Sequence, residues 1–172
     1  MKRIKDSNDD YHSHKSISAS GLKTIYKKSV YHHLNSVFKM SDAMNFGSAV
    51  HSALLEDSND IAVLPEFNAR TKEGKKIKQD FLNDNVGKII IKQEEQEAIE
   101  KIKKNFNGHS LAKSLVQRLT ETEVSYYGTI DNVPVRVRPD GIKDNDYIVD
   151  IKTTMDASPR YFKSQVYNFA YH

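Results

Sequence analysis

Apolar residues recur at helical spacing through the first two-thirds of the chain and at strand-like spacing in the last third. Within Ala43 to Glu56 (AMNFGSAVHSALLE), Phe46, Val50, Leu54 and, one step round, Ala53 form a stripe that predicts a helix with one buried face. The same spacing predicts helices over Thr71–Leu82, Gln93–Phe106 and Ser110–Leu119. A short helix starts near Ser18-Ala-Ser-Gly-Leu-Lys, where Ser18 or Ser20 can cap it by accepting a backbone N–H. Pro65 and Asn68 mark a loop. Residues 1–15 are polar, charged and without period, so a disordered tail is expected there.

After residue 120 the texture changes. Glu123 to Ile130 (EVSYYGTI) is rich in β-branched and aromatic residues, Asp131-Asn132 is a turn, and Val133 to Arg138 (VPVRVR) alternates apolar and basic. A turn-rich stretch then leads to Tyr147–Thr153 (YIVDIKT), which reads as a central strand. Pro159 opens a last helix that runs to the end of the chain. The expected class is α+β (α/β): a three-stranded antiparallel meander flanked by helices, with a helical region before it. The expected domain is a single one over residues 16–172.

Composition narrows the function classes. With 172 residues the chain can bury a core, and 38% hydrophobic with 28% charged residues is ordinary for a soluble protein. No apolar run approaches the roughly 18 residues needed to span a bilayer, and the first residues lack the apolar stretch of a secretory signal. There are no cysteines, which excludes disulfides and thiolate metal sites and fits a cytoplasmic location. The net charge of +3 is too mild to announce nucleic-acid binding. Its distribution is more informative: Arg70, Lys72, Lys75 and Lys76 form a basic run able to track phosphates, although such runs are also ordinary solvated helix faces.

The candidate chemistry lies near the end. Asp150 and Lys152 are two apart, hence on one face of a strand, and charge on an apolar strand needs compensation by a partner, a metal or a phosphate. Arg136, Arg138 and Asp140 share a face if the pleat continues, and a hairpin would set Asp140 beside Asp150. Paired carboxylates attract a hard divalent cation, Mg²⁺ or Mn²⁺ rather than zinc. With a nearby lysine this is the equipment for phosphodiester hydrolysis. The Asp140…Asp150-Ile-Lys152 pattern alone also fits a surface ion pair. Two further residues add weight: His51, one helical turn after Gly47, and Glu123 at the opening of the first strand.

Taken together these segments resemble the exonuclease VIII (RecE-like) branch of the PD-(D/E)XK nucleases. Phe46-Gly-Ser-Ala-Val-His51-Ser-Ala-Leu-Leu-Glu56 is similar to that group's histidine helix, Glu123-Val-Ser to its first-strand glutamate, and Arg138-Pro-Asp140-Gly-Ile to its first metal strand. Ile148-Val-Asp150-Ile-Lys152-Thr-Thr, followed by Asp156-Ala-Ser-Pro159 and Phe162, is the most specific stretch. Ser18-Ala-Ser-Gly-Leu-Lys also looks like the group's opening, so the resemblance covers about residues 16–172.

The resemblance implies a restriction-endonuclease-like core in which His51, Asp140, Asp150 and the Ile151 carbonyl hold Mg²⁺, with Mn²⁺ able to substitute. It implies Lys152 as the catalytic lysine, Asp140 and Asp150 as catalytic acids, and Glu123 as a supporting acid. Arg138, Arg136, Arg70, Lys72 and Lys75 are the expected DNA contacts. The implied activity is exonucleolytic, 5′→3′ on linear duplex DNA, in phage recombination or replication. A single-strand annealing protein and a homo-oligomer are the implied partners, with no membrane. The Gln and second Tyr that follow the Tyr167–Tyr171 segment in this group do not occur, so a domain incomplete at its C-terminus is expected. The alternatives are a RecB-like or Cas4-like nuclease of different polarity, the second disfavoured by the lack of cysteines, and a non-catalytic DNA-binding relative.

Overall fold

The structure is a computed structural model that describes residues 1–35, 37, 39–56 and 60–169. In chain order it runs β1 (Lys2–Ile4), α1 (Asn8–Ser13), α2 (Ala19–Lys27), α3 (Val30–Asn35), α4 (Asp42–Leu55) and β2 (Ile61–Val63). Next come α5 (Lys72–Asp84), β3 (Ile89–Ile91), α6 (Gln93–Gly108), α7 (Ser110–Gln117) and β4 (Glu121–Thr122). The remainder is β5 (Ser125–Ile130), β6 (Val133–Val137), β7 (Gly141–Lys143), β8 (Tyr147–Val149) and α8 (Pro159–Phe169). The expected α+β class holds. The helices expected around Ser18, Ala43, Thr71, Gln93, Ser110 and Pro159 all form. The last turn expected of the final helix, at Tyr171 and His172, lies outside the described residues.

The chain divides into two compact units. One comprises Met1–Phe38, Glu123–Pro139 and Lys152–His172; the other comprises Lys39–Thr122 and Asp140–Ile151. In the first unit, β5 and β6 form a hairpin with Ile130 opposite Val133, and the turn residues Asp131 and Asn132 both have positive φ, 48° and 63°. Two successive left-handed residues are what a two-residue hairpin turn requires, and Asp and Asn tolerate them best after glycine. Where a disordered tail was expected, β1 adds to the edge of β5, with Lys2 opposite Tyr127 and Ile4 opposite Ser125. Ile17 then bridges Val135 beside β6. Residues 6–16 therefore cross one face of the hairpin from edge to edge.

The second unit holds the main apolar core. Ala49 and Val50 of α4, Ile91 of β3 and Ile99 of α6 are buried together, with Phe46, Ala53, Leu54 and Ile151 packed against them. The stripe read from the sequence is thus the face that packs. Burying one such side chain contributes about 1.5–3 kcal/mol. Ser41 caps α4, its hydroxyl accepting from the Met44 N–H at 3.2 Å, and Thr71 caps α5 through the Gly74 N–H at 3.0 Å. β2 and β3 pair in parallel across α5, with Ile61 opposite Ile89. β4, β7 and β8 form an antiparallel sheet.

One meander was expected, and the strands instead divide between two sheets, β1–β5–β6 and β4–β7–β8. Two local causes are visible. Pro139 has no N–H for a ladder, and β6 stops at Val137. Glu123 has φ 52°, a conformation that interrupts extended backbone between β4 and β5. The strand expected to continue through Thr153 ends at Val149, so Asp150 and Lys152 are not held on one face by a continuing pleat.

Candidate functional site

The hairpin of the second unit assembles the site. β7 and β8 pair Gly141 with Val149, Ile142 with Ile148 and Lys143 with Tyr147. Asp140 and Asp150 are the next residue outward on each strand, so they leave the ladder side by side. The hairpin is anchored at its far side, where the Tyr147 hydroxyl donates to the Leu115 carbonyl of α7 at 2.7 Å. Gly141 packs closely under Leu119: a Cβ there would lie 2.4 Å from Leu119 Cδ1, so a side chain at this position requires the Leu119 side chain to shift.

Asp140 is buried, and its Oδ2 accepts from the Ile151 N–H across the mouth of the hairpin. The Ile151 carbonyl faces His51 of α4, and the Ile151 side chain packs on the core. His51 of α4 meets both groups. Its Nε2 lies 2.8 Å from the Ile151 carbonyl oxygen, and its Nδ1 lies 3.6 Å from Asp140 Oδ1. His51 and Asp140 each offer a metal-binding atom, and these lie within 4.8 Å of one another.

This donor set fits a divalent cation. A neutral imidazole carries one N–H. If Nε2 donates it to the Ile151 carbonyl, Nδ1 and the Asp140 carboxylate face each other as two electron-pair donors. A divalent cation held by Nδ1 and the carboxylate would suit that arrangement. Carboxylate and carbonyl oxygens favour Mg²⁺ or Mn²⁺, and the imidazole nitrogen widens the choice among transition metals.

The other sequence-derived residues fall as follows. Asp150 is exposed, at the end of β8. Lys152 follows Ile151 directly and is exposed. Glu123 is half-buried and follows Thr122, which pairs with Gly141. Both Lys152 and Glu123 belong to the first unit. Arg70, Lys72 and Lys75 are exposed, just before and within the opening turns of α5. Arg136 and Arg138 are not on an open phosphate-facing surface as expected. Their guanidinium groups lie under residues 6–16: Arg138 pairs with Asp6, and Arg136 donates to the carbonyls of His12, His14 and Ser16. Sequence reasoning passed over Glu121, a buried acid in β4. Its signal was the Thr120-Glu-Thr-Glu123 alternation, which repeats an acid two residues before Glu123.

Comparison with known families agrees with this geometry. The PDDEXK-like domain of unknown function (DUF3799) matches residues 18–172, and the chain belongs to that family. The class is a nuclease-type fold whose nucleases are generally dependent on a divalent metal. No curated protein and no solved structure matches the chain.

Proposed function

We propose that this chain is a metal-dependent exodeoxyribonuclease that hydrolyses one strand of linear duplex DNA, 5′→3′, in phage recombination or replication. The observation that carries the reading is the convergence of His51, Asp140 and the Ile151 carbonyl at the mouth of the β7–β8 hairpin. Asp150, the adjacent exposed carboxylate, is the fourth proposed ligand, for Mg²⁺ with Mn²⁺ as substitute. A bound divalent cation would neutralise charge on the scissile phosphate and lower the pKa of a bound water. Lys152, the residue after Ile151, is proposed to hold the attacking water or the phosphate oxygen. Glu123 is proposed as the supporting acid on the resemblance of Glu123-Val-Ser to the first-strand glutamate of the exonuclease VIII group. Arg70, Lys72 and Lys75 of the α5 entrance are proposed to track DNA phosphates. A cytoplasmic location, a homo-oligomeric state and an annealing-protein partner follow from the resemblance to exonuclease VIII.

The test is incubation of the chain with linear and closed-circular duplex DNA, with Mg²⁺ or with EDTA, beside an Asp150→Ala variant. Loss of the linear form alone, dependent on Mg²⁺ and abolished by the substitution, is the expected result. Degradation of the circle points to an endonuclease and rejects the exonuclease reading. A folded chain that degrades neither is a non-catalytic DNA-binding relative or lacks elements needed for activity.

A further inference from the structure

Residues 6–16 cross the face of the β5–β6 hairpin that carries Ser125, Tyr127, Arg136 and Arg138. Asp6 enters a cradle of hydrogen-bond donors. Its carboxylate accepts from the Ser125 hydroxyl at 2.6 Å, from the Tyr127 hydroxyl and from Arg138 Nη2. Every guanidinium nitrogen of Arg138 is bonded: Nε donates to Ser125 Oγ at 2.8 Å, Nη1 to Asn8 Oδ1 at 3.2 Å, and Nη2 also to the Asp6 and Ser7 carbonyls. The ring of Tyr11 lies against both guanidinium groups, 4.4 Å from that of Arg138 and 5.1 Å from that of Arg136.

Arg136 is treated differently. Its acceptors are neutral, backbone carbonyls and the Tyr11 hydroxyl, and its buried Nε has no hydrogen-bond partner among the described residues. Asp6 is taken by Arg138, and Asp10 is turned to the Ser7 hydroxyl at 2.6 Å. A half-buried cation with an orphaned Nε donor and no ion pair among the described residues is short of negative charge. The cover over it is lightly held. No residue of α1 is buried, and most of residues 5–16 are exposed, which are the marks of a segment that opens at low free energy.

We propose that the Arg136–Arg138 face is a binding site for a phosphate group of a nucleic-acid strand, kept closed by residues 6–16, with the Asp6 carboxylate and the Tyr11 ring standing where a phosphate and a base would lie. The proposal rests on the nucleic-acid reading above and adds an internal competitor to it. A phosphate reaching Arg136 supplies the missing charge and can accept from Nε and Nη together, which separate carbonyls do not. The same phosphate repels Asp6. The segment that leaves loses three carbonyl contacts to Arg136 and one ion pair to Arg138, and the strand replaces them.

The test uses the full chain in EDTA, so that binding is read without hydrolysis. Amide exchange of residues 6–16 is followed with a saturating oligonucleotide bearing a 5′-phosphate, with the same strand lacking it, and with inorganic phosphate. Faster exchange on strand binding is expected. Asp6→Asn should tighten the strand, and Arg136→Gln should weaken it and remove the exchange response, each by about tenfold, the scale of one hydrogen bond to a charged group. Opening only by the phosphorylated strand assigns the site to a strand end, and opening by both strands assigns it to internal phosphates. Opening by inorganic phosphate at the same phosphate concentration assigns it to a free oxyanion. Unchanged or slower exchange, including failure of the strand to bind, overturns the proposal. Should Asp6→Asn fail to fold, exchange in the unaltered chain decides. Mg²⁺-dependent degradation of DNA with no opening removes this inference and leaves the nuclease reading; opening without degradation does the reverse.

Discussion

In the second unit, a ring nitrogen, a carboxylate and a carbonyl oxygen meet where two strands leave their ladder; in the first, two guanidinium groups and two hydroxyls meet on the face of a hairpin. The first arrangement gathers electron-pair donors, and the second gathers N–H and O–H groups around one acid. Their supports differ as well. His51 and Ile151 are held by elements packed on Ala49, Val50, Ile91 and Ile99, whereas the groups over Arg136 come from a segment that contributes almost nothing to a core. Rigid support suits a centre that must hold ligands in fixed geometry. A lightly held cover suits a site that has to open. The lesson is that burial of charge does not by itself say what a cluster is for; the sign it collects and the stiffness of its frame do.

The sharpest way to break this comparison is to remove the central acid of each cluster. Asp140→Asn keeps shape and loses charge. DNA degradation is expected to fall by at least about a hundredfold, since even residues that only support metal ligands typically cost 10–100-fold. Isothermal titration with Mn²⁺ should show the matching loss of affinity. A variant that keeps both would remove Asp140 from the proposed metal site. Asp6→Ala should act on structure instead. Deleting one partner of the Asp6–Arg138 ion pair should be felt locally, as lost amide protection in β1 and α1. The second unit should be spared, so core amides around Ile91 and Ile99 should exchange as before. Loss of protection in both units together would mean that the cover is part of the global fold.

These contrasts also explain what was legible in the sequence. The α4 stripe, the Asp131-Asn132 turn and the pairing of Asp140 with Asp150 rest on local rules, namely helical period, turn chemistry and hairpin register, so they could be read directly. The PD-(D/E)XK resemblance was legible for the same reason, because its motifs are short and contiguous. The order in residues 1–15 was not. A three-residue strand and a six-residue helix carry no usable period, and what orders them is Arg136 and Arg138, more than a hundred residues away. The division into two sheets hung on single backbone events, Pro139 and the positive φ of Glu123, whose effect depends on the strands around them. The arginines were recognised as phosphate-seeking, but their occupation by the chain itself was invisible.

Acid should open the cover while leaving the second unit's core intact. Burial raises the Asp6 carboxyl, but the hydrogen bonds from Ser125, Tyr127 and Arg138, with the Arg138 charge, outweigh it and hold it well below the usual carboxylate range. Burial, with the charges of Arg136 and Arg138, pushes His12 down. In both cases the open state binds the proton more readily, so the closed state loses stability as pH falls. Loosening should begin below the ordinary histidine value of 6.5 and deepen below the ordinary carboxylate value of 3.8. Amide exchange of residues 6–16, corrected for its intrinsic pH dependence, is the measurement. A cover that tightens on acidification contradicts this assignment.

The smallest expected effect separates surface cations from the covered ones. Arg70, Lys72 and Lys75 are exposed, so each should act on DNA as one counterion-releasing charge. Replacing any one with Gln should reduce the slope of log affinity against log salt by about 1 and weaken binding evenly across sequences. Arg136→Gln should depart from that pattern, because its charge becomes available only after the cover opens. Part of its effect should then disappear in an Asp6→Asn background, where opening is already easier. Equal, additive slope changes for all four residues in both backgrounds would mean that Arg136 meets DNA as an ordinary surface charge, and the distinction between the two clusters would reduce to the His51–Asp140 cluster alone.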